Sequence, residues 1–355
     1  MVTLYDVARR AGVSPATVSR VLHGQDLVRE STRARVEKAI EELGYIPDGA
    51  AQSLSRRRKE VIGLICCERP MIPEDVENQS MTYIDEMLRG VEQHISELDW
   101  SLLITFYNGH TTTNVRRIMS MCGKVDGILV GEGSFPTRLM ERLATRVPVT
   151  IIAGSPADTE FDVVTSDNLA GSAAVVSHLV DEHGARRIYY VDGPADAPDA
   201  VQRRLGLEHV LHEHPEVRVT GSTTGWFNVE TGLAAGERIL AEARDDLPDA
   251  VVAANDQMAI GVMRVLARAG VRVPEQVAVV GFDDISASDL YEPQLTTVHQ
   301  PMRTLGEAAC ARLMERVVKP GLPPQVQKLP TELVIRRSCG CPPGTTIRRP
   351  VGRLT

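Results

Sequence analysis

The stretch VSPATVSRVLHG, residues 13–24, decides how the start of this chain folds. Ser14 is a helix-capping residue, and Pro15 behind it takes the first helical position, where its missing N–H costs nothing. A helix therefore begins at residue 15. Upstream, Thr3 caps an earlier helix, with Asp6 at the third helical position completing a capping-box pair and Leu4, Val7 and Ala8 forming the apolar face. Gly12 ends that helix, which leaves a connection of about three residues and the geometry of a helix-turn-helix. A third helix is expected from Glu30 to Leu43, covering the other two with Val36, Ile40 and Leu43. Gly44 stands in its C-terminal capping position and Pro47 prevents continuation.

Charge singles out this head as the part suited to a polyanion. The 355 residues carry a net charge of -8, yet residues 1–60 hold eleven Lys or Arg against eight Asp or Glu, leaving the head at +3 and the remainder at -11. A helix-turn-helix places the first part of its second helix in the major groove of DNA, so Pro15, Ala16, Thr17, Ser19 and Arg20 are the candidates there. Ser14, Thr17 and Ser19 can donate to phosphates and Arg20 can pair bidentately with guanine, whereas Pro15 and Ala16 offer only apolar contact, such as to a thymine methyl. The competing reading is a three-helix module that binds protein.

Residues 48–59, DGAAQSLSRRRK, have little apolar content beyond their alanines and Leu54 and end in a basic run. Such a segment cannot bury enough to be a stable helix alone, so it is a linker that folds on contact. From Val61 the pattern changes to short β-rich runs, VIGLIC, SLLITF, GILV, PVTII, RIYYVD, AVVAA and VAVVG, alternating with helical stretches. That alternation predicts an α/β body of doubly wound parallel sheets in two lobes. Crossings are expected near Ser166–Leu169 and Pro293–Thr297. The first lobe then comprises residues 61–167 and 294–326 and the second 168–293 and 327–340, with 341–355 as a tail.

VTLYDVARRAGVSPATVSRVLHG (2–24) and TRARVEKAIEELGYIPDGAAQSL (32–54) resemble the headpiece and hinge of the LacI/GalR family of bacterial transcription regulators. The resemblance implies residues 1–47 as a DNA-binding headpiece, 48–60 as a hinge helix, and a periplasmic-binding-protein-like body. It adds Thr3, Tyr5, His23 and Tyr45 to the DNA-facing set. It also implies that paired hinge helices enter the minor groove of operator DNA, Leu54 wedging between base steps and Ala51 permitting close approach. His23 stands where the family often has asparagine, and Arg29 where a serine usually caps the third helix.

In open α/β sheets ligands bind beyond the carboxyl ends of the strands. Three such ends in the second lobe carry polar groups: Arg203 in GPADAPDAVQRRLG, Asn255-Asp256 after AVVAA, and Phe282-Asp283-Asp284 after VAVVG. Carboxylate, amide and guanidinium converging on one crevice suit the vicinal hydroxyls of a sugar-like effector, with an aromatic ring over its apolar face. Asp256 is expected to cap the following helix and point away from ligand, and Asp284 to be structural. By resemblance, Arg203 matches an R-x-x-G arginine, Asn255 an A-N-D motif, Asp283 a G-[FY]-D-D motif and Asp167 a D-N motif, while Tyr83 aligns with a cleft aromatic. In TGWFNVETG the count back from Gly232 favours Phe227, and a one-residue shift chooses Trp226.

No G-x-S-x-G, G-x-x-x-x-G-K-[ST] or H-E-x-x-H occurs, so the sequence offers nothing toward catalysis and no cofactor. Six cysteines form no dense framework, and the pairs Cys66-Cys67 and Cys339-Gly340-Cys341 have no neighbouring histidines in sequence to complete a metal site, so reduced thiols and no metal are expected. No apolar run reaches the roughly 18–20 residues of a membrane span and no secretory signal opens the chain, which predicts a cytoplasmic protein. CGCPPGTTIRRPVGRLT carries no leucine heptads, so a homodimer is expected, the helix at 301–318 contributing to its surface. The reading that follows is a repressor with a sugar-like effector; the alternative is a sugar-binding protein whose head contacts protein.

Overall fold

The structure, a computed structural model, describes residues 2–22, 28–46, 58–67, 81–109, 111–131, 135–155, 160–243, 246–342, 344 and 346–352. His23, Ala51 and Leu54 lie outside the described residues. The chain divides into two compact units, Met1–Glu60 and Val61–Thr355.

In the first unit α1 spans Leu4–Ala11, α2 Pro15–Leu22 and α3 Glu30–Leu43. The capping box at α1 is complete: the Asp6 N–H donates to the Thr3 hydroxyl at 3.3 Å, and the Thr3 N–H donates to the Asp6 carboxylate at 3.0 Å. Val7, Ala8, Ala11, Val18, Val21, Val36 and Ala39 make the core, with Ile40 and Leu43 partly buried at its edge. Arg35 of α3 locks the turn between α1 and α2 by donating to the Ala11 carbonyl at 2.7 Å and the Gly12 carbonyl at 3.1 Å. Arg29 occupies the N-cap of α3 without a side-chain cap bond.

The second unit is built on a parallel sheet of strands β1 (Val61–Cys67), β2 (Ser101–Tyr107), β3 (Gly127–Gly131), β4 (Val149–Ile152), β5 (Asp162–Ser166) and β11 (Val326–Leu329), in the order β11-β5-β4-β3-β1-β2. Helices α4 (Met81–Ser96), α5 (Thr112–Met121) and α6 (Thr137–Ala144) connect the early strands, and α12 (Met302–Val318) returns later. Ile62, Leu64 and Leu129 face one core of this lobe and Ile65, Ile128 and Val130 another, which is why its strands read as continuous apolar runs. α4 and α12 cross closely because both carry glycine at the contact: a Cβ on Gly306 would lie 2.2 Å from the Met87 carbonyl oxygen.

The second lobe holds a parallel sheet in the order β7-β6-β8-β9, from β6 (Arg187–Asp192), β7 (Arg218–Thr224), β8 (Ala250–Ala253) and β9 (Ala278–Val280). Around it lie α7 (Asn168–His183), α8 (Pro198–Glu213), α9 (Val229–Ala243), α10 (Asp256–Arg268) and the short α11 (Ser286–Leu290). A further sheet, β10-β12-β13, pairs β10 (Thr297–His299), β12 (Glu332–Ile335) and β13 (Ile347–Pro350) antiparallel.

Strand pairing here corrects three expectations. The chain re-enters the first lobe at Gln300–Met302 rather than Pro293–Thr297, because the Thr297 hydroxyl donates to the Asp256 carboxylate, the Gly281 N–H donates to the Thr296 carbonyl at 3.0 Å, and Asp283 bridges His299. β11 still belongs to the first sheet, paired with β5, so the final crossing follows Leu329 instead of residue 326. Beyond residue 341 the chain is no simple tail either: Ile347–Pro350 pairs with β12, and Arg348 donates to Asp284 at 2.8 Å. The inner face of α12 is filled by Met302, Leu305, Ala309, Cys310 and Leu313 within its own lobe. Among the described residues no helix is long and apolar enough to cross a membrane.

Candidate functional site

Burial of Val18 and Val21 turns the opposite face of α2 outward, leaving Ala16 and Arg20 exposed and Pro15, Thr17 and Ser19 partly so. The Ser14 hydroxyl accepts the Thr17 N–H at 3.2 Å and lies 2.9 Å from the Thr17 hydroxyl, so the capping residues that start the helix also stand at its surface. Backbone N–H groups and the positive end of the helix dipole at this point favour an anion such as a phosphate. Thr3 and Tyr5 are exposed, Tyr5 at 68%, whereas Tyr45 packs its ring against the three-helix core.

Between the two lobes of the second unit lies a cavity of about 180 Å³. Its second-lobe wall carries the polar groups Asp199, Arg203, Asn255, Gln257 and Asp283 beside the Phe227 ring. The first lobe supplies Cys66, Cys67, Ile84, Met87, Ile152 and Ala153. Arg203 organises the polar side. It is 3% exposed, donates Nε to the Asn168 amide oxygen at 2.9 Å and Nη1 to the Ala254 carbonyl at 2.5 Å, and places Nη2 3.2 Å from the Asp283 carboxylate and 3.8 Å from that of Asp199. Its guanidinium carbon sits 3.9 Å above the Phe282 ring centre. A buried guanidinium flanked by two carboxylates and stacked on an aromatic ring is held in one orientation, with its charge compensated.

Asp283 adopts φ 122, a backbone conformation rarely taken by a side-chain-bearing residue, and its carboxylate accepts from the Gln300 amide at 2.7 Å. Burial pushes its carboxyl up against the opposing pull of Arg203 and Gln300. Asn255 caps α10: its amide oxygen accepts the Met258 N–H at 3.0 Å, and its amide nitrogen donates to the Phe227 carbonyl at 3.1 Å. The cap expected at Asp256 is therefore one residue earlier. Asp256 is wholly buried, accepting from the Ser288 hydroxyl at 2.6 Å and the Ile285 N–H at 3.0 Å, and burial together with the Asp283 charge raises its carboxyl as well. Asp284 binds Arg336 at 2.6 Å and His299 at 3.0 Å; burial opposes its ionisation, but these partners and Arg348 hold it below the usual carboxylate range.

Of the residues read from the sequence, Arg203, Phe227, Asn255 and Asp283 thus line one cavity. Phe227 rather than Trp226 reaches it. Asp167 does not line it: its carboxylate caps α7 by accepting the Ala170 N–H at 3.4 Å, and the neighbouring Asn168 reaches Arg203 instead. Tyr83 stands in the first turn of α4, its side chain outside the described residues, while Ile84 and Met87 of that helix line the cavity. The sequence reading missed Asp199, Gln257, Asn168 and Gln300. Asp199 carried a signal, since a carboxylate one helical turn before an arginine is a readable pair.

Comparison with known proteins places these two features together. Residues 3–48 match the bacterial regulatory proteins of the lacI family, and residues 176–339 match a periplasmic binding protein-like domain. Over 343 residues the chain is 34% identical to the ribose operon repressor of Escherichia coli (strain K12), covering 95% of this chain and 100% of that one. The chain belongs to the lacI family. The HTH-type transcriptional repressor PurR of Pasteurella multocida (strain Pm70) is 32% identical over 95% of this chain and 98% of its own length. Among solved structures, a lac repressor dimer bound to operator and the anti-inducer ONPF has a TM-score of 0.83 at 28% identity, with 95% of this chain and 99% of that chain covered. A complex of the transcriptional regulator CelR with cellobiose has a TM-score of 0.70 at 32% identity, with 95% and 100% covered. This lacI-family protein is a transcriptional regulator with a DNA-binding head and an effector-binding body, and a head given over to protein contacts is not favoured.

Proposed function

We propose that this regulator is a homodimeric cytoplasmic repressor without catalytic activity, whose affinity for operator DNA is set by a small, uncharged polyhydroxy molecule held in the cleft. Residues 1–47 read DNA, with Ser14, Pro15, Ala16, Thr17, Ser19, Arg20 and His23 at the major groove, Thr3, Tyr5 and Tyr45 beside them, and Ala51 and Leu54 of the 48–60 linker in the minor groove. Residues 61–340 bind effector and the second copy. The observation that carries the effector class is the Arg203–Asp283 pair, at 3.2 Å, on the wall of a cavity that also presents Asp199, Gln257 and Phe227. Two carboxylates accept from hydroxyls, the guanidinium and amides donate, and Phe227 covers a C–H face. Because the guanidinium already has carboxylate partners, a neutral solute leaves fewer ions unpaired than a charged one.

A volume of about 180 Å³ is smaller than the roughly 300–1,000 Å³ of drug-sized sites, which fits a sugar or sugar derivative of few rings. The name of the E. coli relative, a ribose operon repressor, and the cellobiose in the CelR complex point the same way. Effector bound between the lobes changes operator affinity only by its differential affinity for the states that bind and release DNA. A thermal-shift panel of pentoses, hexoses, disaccharides and purine bases tests the reading. A neutral polyhydroxy ligand at one hundred times its Kd is expected to add about 2.7 kcal/mol of stability. Stabilisation by a charged or wholly apolar metabolite, with every sugar silent, would overturn it.

A further inference from the structure

The sequence gives Cys339 and Cys341 no neighbouring histidines, but the fold does. The end of α7 brings His178 and His183 against the Cys339-Gly340-Cys341 turn, and one donor atom from each of the four side chains falls within 4.8 Å of all the others. The two imidazole Nε2 atoms are 3.3 Å apart, and Cys341 Sγ lies 3.6 Å from that of His178 and 3.5 Å from that of His183. An ion at the centre of a tetrahedron, with bonds of about 2.05 Å to imidazole and about 2.3 Å to thiolate, imposes edges of about 3.4 Å between nitrogens and about 3.6 Å between nitrogen and sulfur. The three measured edges match this pattern.

We propose that His178, His183, Cys339 and Cys341 form a closed, tetrahedral Cys₂His₂ site for a zinc ion. Two thiolates and two neutral imidazoles leave the loaded site uncharged, as suits a place where His178 and Cys339 are buried. Burial moves the His178 imidazole down to about 4 and also lowers that of His183, so both rings present neutral nitrogen. Burial and the adjacent Cys339 push the Cys341 thiol up to about 11, so the thiol keeps its proton until a cation displaces it. Metal binding forms two Zn–S and two Zn–N bonds and releases the two thiol protons to solvent. The Thr296 hydroxyl, 3.1 Å from Cys339 Sγ, can donate to that sulfur as a thiolate and orient it. Gly340 has φ 109, and a Cβ there would stand 3.2 Å from His183 Nδ1, so glycine lets the turn bring both sulfurs onto the same rings.

With four protein ligands the site has no open position for chemistry; its role is to fasten the C-terminal segment to α7. That segment runs on to β13, whose Arg348 binds Asp284, next in sequence to the cleft residue Asp283. Metal analysis of the full chain, expressed in zinc-supplemented medium and purified without chelator, is expected to give close to one equivalent of zinc. His183→Gln and Cys341→Ser are each expected to lower occupancy at least about tenfold. Zinc added to metal-free chain in weak buffer releases about two protons, and Co(II) gives the intense visible bands and thiolate charge transfer of a tetrahedral site. Removing the metal lowers the melting temperature by about 5 °C in the parent and not in the variants. If the variants fail to fold, Co(II) titration and proton release of the parent decide alone. A folded parent chain that releases no protons with zinc and leaves Co(II) six-coordinate overturns the proposal, because a cluster held only by thiol–imidazole hydrogen bonds does both.

Discussion

Arg203 shows how much of this protein rests on single side chains. Its donors go to Asn168, Ala254 and Asp283 inside the fold, so it is both part of the cleft wall and part of the second lobe's core. Arg203→Met leaves the buried Asp283 carboxylate with the Gln300 amide but without its cation. Urea unfolding is expected to show a loss of about 3–5 kcal/mol, beyond any loss of ligand binding. Arg203, Asn255 and Asp283 were legible because each sits where a predicted strand or its following helix begins to expose polar groups. Asp167 misled for a physical reason: Asp and Asn side by side at a helix start are both polar, and only the direction of each side chain assigns one to the cap and the other to Arg203.

The helices of the head were readable almost to the residue, since caps and helical spacing are local: Thr3 and Gly12 bound α1, Ser14 starts α2 and Gly44 ends α3. Ser14 caps α2 and, on the proposed reading, also faces phosphate, two roles that substitution can separate. Ser14→Asp keeps a capping oxygen but sets a carboxylate against phosphate, so the melting temperature should hold while operator affinity in a gel shift falls at least about tenfold. Ser14→Ala should instead cost about 1 kcal/mol of stability. The strands of the body divide differently. β1, β2, β3, β4, β6, β8 and β9 were legible as β-rich runs, but the edge strand β7, RVTGSTT, is largely exposed and carries no such run, and β5, DVVTS, was not read. β10, β12 and β13 are short, and what makes them strands is pairing with distant chain, as far apart as Thr297 and Val334.

Division of labour between the two units is a property of the whole molecule. Leu54→Ser is expected to weaken specific operator binding by about tenfold or more while the effector still raises the melting temperature. Asp283→Ala should abolish that thermal response and leave effector-free operator binding unchanged. Both variants losing both activities would show that the head and the cleft are not separable functions. The sequence by itself determined the three-helix head, the α/β character of the body, the family resemblance and four members of the cleft, because caps, periodicity and motif residues act over a few positions of chain. Only the tertiary structure decided where the lobes cross, which neighbour of Arg203 holds it, that β13 folds back onto β12, and that His178 and His183 meet Cys339 and Cys341. Those pairings join residues up to 163 positions apart, and nothing local in the chain records which distant groups a fold will bring into contact.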